Sequence, residues 1–402
     1  MTLRSLSARG SLLVLVLAVS ICAPGQRVVA VGDVHGDAGA LAGILQHAGV
    51  IDADRHWAGG STILVQVGDL LDRGDHGREV LDLMMALEKE APKSGGRVIA
   101  LLGNHEFMNL VGDLRYVTPA GFAEFSAPDT AKIRSNAYQR YCAWEKRRAK
   151  RMGYPAVPEA EASWNARHPL GFVEQRGQFS AKEKYGRWLR QRAAVAQVGD
   201  VIFLHGGIDP ALDVTGVAEL NERIQAELRT FDELVSDLEA RGIILPFFTL
   251  QEMLESAAAE LKAGVSDAQL RTRLEYLVNY FRWYGYRDDG PLWFRGYSQW
   301  PEQEGTERLT ALLARSGARH VVVGHTPQPE YRIRQRFGGQ VFLIDTGISR
   351  VYAQGRPSAL EIENGKFTAI YADERRTLLD RSPPQSQEAG AGDRRSEPPP
   401  NH

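Results

Sequence analysis

Cysteine is nearly absent: Cys22 and Cys142 are the two among 402 residues. Cys22 falls in an N-terminal apolar segment, which leaves the folded body one thiol and excludes a disulfide framework. Cys142, flanked by Tyr141 and Ala143-Trp144, carries no nucleophile signature and reads as a small buried hydrophobe. An excess of either charge is missing too. Lys and Arg number 48 against 50 Asp and Glu, a formal net charge of −2 that removes any global electrostatic case for nucleic acid as the main partner. The apolar run at Ser11–Ala23 is too short for a comfortable membrane span. No internal repeat is present.

What the N-terminus does have is Arg4 and Arg9, then that apolar run, then Pro24-Gly25. A basic stretch, an apolar stretch of this length and a helix breaker read as a secretory signal over residues 1–25. The expectation is a periplasmic or secreted protein. A membrane-tethered form, with transient membrane contact through this segment, and a cytoplasmic form with a start placed too far upstream are the alternatives. Ile21 is a poor residue for a cut after Ala23, and Ile before Cys22 makes a weak lipobox.

From Arg27 the pattern is strand, loop, helix, repeated. RVVAV, STILVQV and RVIALL read as buried strands, separated by the helical DAGALAGILQHAG and REVLDLMMALEKE. VIFL, HVVV and QVFLI read as further buried strands, and Asn364-Gly365 between alternating apolar residues marks a hairpin. Strands alternating with helices argue for an α/β sheet with parallel strands. Residues of about 107–196, including AKEKYGRWLRQRAAVA, and of about 214–286 read as helical insertions into one domain spanning 26–379. Residues 380–402, rich in Pro, Ser, Gln, Glu and Gly, read as a disordered tail.

Five apolar runs end in polar clusters of one character. They are Gly32-Asp33-Val34-His35-Gly36, Gly68-Asp69-Leu70-Leu71-Asp72-Arg73-Gly74, Gly103-Asn104-His105-Glu106, His205-Gly206-Gly207 and Gly324-His325-Thr326-Pro327. In open α/β sheets ligands bind at the carboxyl ends of strands, so five such ends imply one convergent site. Carboxylate, imidazole and carboxamide donors without thiolate suit Mn, Fe or Zn. Asp33, His35, Asp69, Asn104, His205 and His325 are six candidate ligands, more than one catalytic ion needs and a natural number for two ions sharing a carboxylate. Two ions roughly 3.5–4 Å apart clamp a phosphoryl group and activate water. Arg73 offers a fork for phosphate oxygens, and His105 a proton for a leaving oxygen.

These motifs, in this order, resemble the calcineurin-like metallophosphoesterases, specifically their phosphoprotein phosphatase branch. GNHEFMNLVGDLRYVT, GPLWFRGY and GHTPQ most resemble the Shewanella-like protein phosphatases. The resemblance covers about Arg27 to Arg350. It implies a four-layer αββα sandwich with mixed sheets and hydrolysis of a phosphomonoester by a hydroxide bridging two divalent ions (Mn, Fe or Zn). It implies Asp33 and His35 on the first ion, Asp69 bridging, and Asn104, His205 and His325 on the second. His105 becomes the general acid, oriented by Asp72, and Arg73, Asn104 and Arg295 bind the phosphate. Pro327 stands where many members of the wider superfamily carry a last histidine, as in the phosphatase branch. A phosphorylated protein is the leading substrate, and a small phosphoester or dinucleoside polyphosphate the alternative. Glu106 is assigned to supporting its loop through hydrogen bonds, and His76 to the rim without a direct role. His47, His56, His168, His320 and His402 are assigned to surface or packing.

Overall fold

The computed structural model describes residues 19–20, 25–212 and 216–381. The segment expected to be a signal, apart from Val19–Ser20 and Gly25, and the tail beyond residue 381 lie outside the described residues. Among the described residues no helix is long and apolar enough to cross a membrane.

Among the described residues twelve strands form two six-stranded sheets. In chain order they are β1 (Val19–Ser20), β2 (Val28–Val31), β3 (Ile63–Gln66), β4 (Arg97–Ala100), β5 (Val195–Val198), β6 (Val201–Leu204), β7 (His320–Val323), β8 (Arg334–Arg336), β9 (Val341–Leu343), β10 (Ser358–Glu363), β11 (Lys366–Tyr371) and β12 (Arg375–Asp380). One sheet runs β12-β11-β10-β2-β3-β4 and the other β1-β5-β6-β7-β9-β8. Both are mixed: β2, β3 and β4 are parallel and β10 joins β2 antiparallel, while β6, β7 and β9 are parallel and β5 joins β6 antiparallel.

The central strands read as unbroken apolar runs because both of their faces are covered. Period-two alternation sends Val28, Ala30, Ile63 and Val65 toward the second sheet, where they meet Val201, Phe203, Val322 and Phe342. Val29, Val31 and Leu64 point outward to a helical layer. That layer includes α1 (Ala38–His47), with Leu41, Ile44 and Leu45 buried, and α2 (Gly77–Glu90), with Val80, Met84 and Leu87 buried. Each such side chain removed from water contributes about 1.5–3 kcal/mol. The result is the four-layer sandwich. At the hairpin, Asn364 and Gly365 both take positive φ, 51° and 76°, the two-residue turn that their side chains favour.

The reading of residues 181–196 as helical is corrected at its end. The helix stops at Arg190, and Val195–Val198 is strand β5, paired through a turn at Gly199-Asp200 with β6. The β-branched Val195 and Val198 at the two ends of VAQV, with a left-handed Gly199 to turn the chain, suit a hairpin strand better than another helical turn. Strands β8 and β12, charged and half exposed, also escaped the pattern.

The helix Val217–Ala240 carries Glu227, whose carboxylate accepts the backbone N–H groups of Tyr284 at 2.6 Å and Gly285 at 3.1 Å. Gly285 O in turn accepts the indole N–H of Trp293. Burial pushes the Glu227 carboxyl up to about 8, with Gly285 and Arg287 opposing. A carboxyl raised in the folded state stabilises fully below its unfolded value near 4.5, and that stability is lost as pH rises toward 8. The wild-type melting temperature is therefore expected to fall across pH 5–8.5 by roughly 5 °C more than that of Glu227→Gln, measured by thermal denaturation in parallel buffers.

Candidate active site

The loops after five central strands meet at one edge of the sandwich. Asp33 and His35 follow β2, and Asp69, Asp72 and Arg73 follow β3. Asn104 and His105 open α3 (Asn104–Val111) after β4, His205 follows β6, and His325 follows β7. Asp33, His35, Asp69, Asp72, Asn104, His105, His205 and His325 are all buried. Non-glycine residues with left-handed backbone gather here: His35, Asp69, Asp72, Arg73 and His325 have φ between 47° and 69°. Such conformations cost free energy and persist where the surroundings over-determine them. A Cβ on Gly324 would lie 2.2 Å from Asp33 Oδ1, so only glycine lets that carboxylate sit against the His325 turn.

Glu106 holds the scaffold rather than the reaction. Its two oxygens accept N–H bonds from Asp69 (2.7 Å), Leu70 (2.9 Å), Leu71 (3.1 Å) and Gly103 (2.9 Å), clamping the loops after β3 and β4 together. Burial, then the Asp69 carboxylate, pushes Glu106 up to about 7, and the Gly103 and Asp69 N–H groups and His205 oppose this.

Backbone carbonyls fix how three histidines present themselves. His35 Nδ1–H donates to Leu71 O at 3.1 Å, His205 Nδ1–H to Val67 O at 3.0 Å, and His325 Nε2–H to Trp293 O at 3.2 Å. The other nitrogen of each ring is then a bare lone pair facing the site. His35 Nε2 lies 3.8 Å from Asp69 Oδ2 and 3.9 Å from Asp33 Oδ2. His205 Nε2 lies 3.3 Å from Asp69 Oδ2, 2.8 Å from Asn104 Oδ1 and 3.1 Å from His325 Nδ1. These are acceptors aimed at acceptors, an arrangement that only protons or cations satisfy. Two sets of donor atoms, those of His35, Asp69 and His105 and those of Asp69, His205 and His325, each lie within 4.8 Å of one another. Imidazoles that give their second N–H to a carbonyl are the usual form of a metal-holding histidine, so the donor set fits two divalent ions around Asp69.

The charges respond accordingly. Against its burial, the rings of His205, His105 and His35 hold Asp69 well below the carboxylate range. Burial, then Asp345 and Asp69, pushes Asp33 well up. Burial lowers His35 to about 3 and His325 well below the imidazole range. Both rings are therefore neutral, as ligands must be.

His105 is different. Its Nδ1–H donates to Asp72 Oδ2 at 2.7 Å, and its Nε2 lies 3.8 Å from Asp69 Oδ2 and 3.3 Å from an Arg73 guanidinium nitrogen. Burial lowers its proton affinity, but Asp69 and Asp72 outweigh burial and raise it. Asp72 Oδ1 accepts from Asn109 Nδ2 at 2.9 Å, and Asn109 Oδ1 accepts from Gln175 Nε2 at 2.8 Å. Arg73 donates to the Tyr352 hydroxyl and lies beside the Tyr116 ring, which packs 5.0 Å from the His105 ring. Arg295 donates to His325 O at 3.3 Å and Thr326 Oγ1 at 3.0 Å, placing it against the His325 loop.

The structure thus brings together every residue singled out from the motifs. His76 stays out: it is exposed, 3.7 Å from Glu124. His168 stacks on Trp164, and His320 packs on Phe367, both in packing roles. Asn109, Gln175, Tyr352 and Asp345 escaped the sequence pattern. Asn109 lies one helical turn after His105 and was within reach of an i, i+4 reading. Gln175 comes from an insertion and carries no local signature.

The calcineurin-like phosphoesterase family matches residues 26–329. Shewanella-like protein phosphatase 2 of Arabidopsis thaliana is 30% identical over 353 residues, 86% of this chain and 77% of that protein. Shewanella-like protein phosphatase 1 of Plasmodium berghei is 27% identical, over 86% of this chain and 74% of that one. The solved cold-active protein-tyrosine phosphatase of a psychrophilic Shewanella species superposes with a TM-score of 0.53 at 26% identity, over 90% of this chain and 83% of that one. With the matched fold, the converging acceptors and these relatives, the chain belongs to the calcineurin-like phosphoesterases, in the branch of the Shewanella-like protein phosphatases, and is a metal-dependent phosphoric ester hydrolase.

Proposed function

We propose that this phosphatase hydrolyses phosphomonoesters on polypeptides, with His105 as the acid that protonates the leaving oxygen. The observation that carries the reading is the Asp72–His105 pair set beside Arg73 at the rim of the buried donor cluster. Asp33, His35 and Asp69 would hold one ion and Asp69, Asn104, His205 and His325 the other, with Mn, Fe or Zn suited to this donor set. Such ions supply Lewis-acid charge and a water ionised near neutral pH. The chain's own groups do the rest. Arg73 and Arg295 grip equatorial phosphoryl oxygens. The Asn104 amide nitrogen, whose neighbour is Met108 Sδ at 4.0 Å, would add a donor to the same oxygens. His105 Nε2–H passes its proton to the departing oxygen, while Asp72 holds the ring and offsets its charge. No side chain in the cluster reads as a nucleophile, so the phosphoryl group goes directly to water.

Support for an extended substrate comes from beyond Tyr116. Its carbonyl accepts the Arg73 N–H at 2.9 Å, and its neighbours Arg115 and Val117 line a cavity of about 660 Å³ with Leu114, Phe122, Phe172 and Leu254. Tyr280, also in that wall, meets Tyr286, which stacks on Trp293 beside His325. Ring and backbone contacts thus lead from the cavity wall toward both the His105 and the His325 sides of the site. The cavity's arginines are already paired, Arg115 with Asp113 and Arg167 with Glu159, which leaves room for apolar side chains flanking a phosphorylated residue. Phosphopeptides with bulky apolar flanks are expected to exceed p-nitrophenyl phosphate and dinucleoside polyphosphates in kcat/KM by about tenfold. Better turnover of a dinucleoside polyphosphate in the same panel would move the assignment to small molecules. The N-terminal basic-apolar segment adds a proposed export signal, read out by fusing residues 1–26 to a reporter active only after translocation.

A further inference from the structure

A sixth strand end reaches the catalytic edge. β9 stops at Leu343 and Asp345 follows, just as Asp33 follows Val31 at the end of β2. Asp345 lies beyond the residues that match the family and in none of the five motifs. Its side chain is 1% exposed. Oδ1 accepts the Gly347 N–H at 3.0 Å, but Oδ2 is buried and meets no donor. The backbone gives it no freedom to turn away. Ile344 N–H donates to Val323 O and Gln328 N–H to Asp345 O, which locks the segment to the strand end and loop that carry His325. A Cβ on Gly32 would lie 3.3 Å from Asp345 Cα, so the Asp345 and Asp33 turns abut. Burial and then Asp69, opposed by Gly347, His205 and the charge of Arg73, push the Asp345 carboxyl up to about 6, and Asp345 in turn pushes Asp33 upward. No Lys or Arg forms an ion pair with it among the described residues.

An ionised carboxylate oxygen buried without donor or cation is costly, and two carboxylates set side by side raise that cost. We infer that Asp345 is a further metal-holding carboxylate, acting through its free Oδ2 on the Asp33–His35 side of the site. The inference rests on the two-ion reading and deepens it. The first site then has three charged or neutral donors besides the shared Asp69: Asp33, His35 and Asp345.

The test is Mn binding to chelator-stripped full-length protein, with metal counted by mass spectrometry after equilibrium dialysis. Wild type is expected to take two ions. Asp345→Asn, which keeps the shape and removes the charge, is expected to bind one ion at least tenfold more weakly. Thermal melting separates this from a folding defect. Without metal, Asp345→Asn is expected to melt at or above the wild type, because a buried repulsion is relieved. With Mn it is expected to gain less than the wild type does. Two ions held at wild-type affinity would overturn the inference, as would a metal-free variant that melts well below the metal-free wild type. A wild type that binds no Mn, Fe or Zn would instead overturn the two-ion reading beneath it.

Discussion

Asp69→Asn is expected to abolish turnover and metal loading together, with kcat/KM down by about 10³ or more. Asp69 Oδ2 is the atom on which the histidines converge, at 3.3 Å from His205, 3.8 Å from His35 and 3.8 Å from His105. An amide there either presents N–H₂ to lone pairs or keeps an oxygen with no net charge, and it removes the one carboxylate facing both groups of donors. The fold should survive. Asp69 Oδ1 accepts the His105 N–H at 3.0 Å, which an amide oxygen also does, and Glu106 still clamps the loop. Circular dichroism, metal content and phosphate release on one preparation check all three points. Two tightly held ions in Asp69→Asn would refute the shared-carboxylate assignment.

His105→Ala should behave in the opposite way on metal. Because Nδ1 is committed to Asp72 and Nε2 faces Arg73, metal content is expected to stay near wild type. kcat on an alkyl phosphate is expected to fall by about 10²–10⁴. A nitrophenolate leaves without a proton, so the loss on that ester should be at least tenfold smaller. Equal losses on the two esters would place His105 in positioning rather than proton transfer. Asp69 also pairs loosely with His105, so the two effects are coupled and the double variant should not be additive.

How much of this was legible follows from the kind of constraint each residue obeys. Asp33, His35, Asp69, Asn104, His205 and His325 sit where buried runs stop abruptly at glycine-flanked polar residues, a contrast that survives in one dimension. Asp345 ends the run Gln340–Ile344 in the same way, but Asp-Thr-Gly is also an ordinary turn, and only the folded edge shows its unbonded oxygen. Tyr352 and Gln175 reach the site through contacts distant in sequence, for which no local period exists. The same limit explains β5. Its three apolar residues were short enough to extend a helical pattern, and pairing with β6 decided otherwise.

The site's donors are divided between the two sheets. Asp33, His35, Asp69 and Asn104 hang from β2, β3 and β4, whereas His205 and His325 hang from β6 and β7. Two ions held there would act as rivets across the seam of the sandwich, and grip on metal would become a gauge of how well the halves are aligned. A shear introduced far away, for example by trimming the Phe342–Phe367 stack whose rings lie 4.4 Å apart between the sheets, would register first as leaking metal and only later as unfolding.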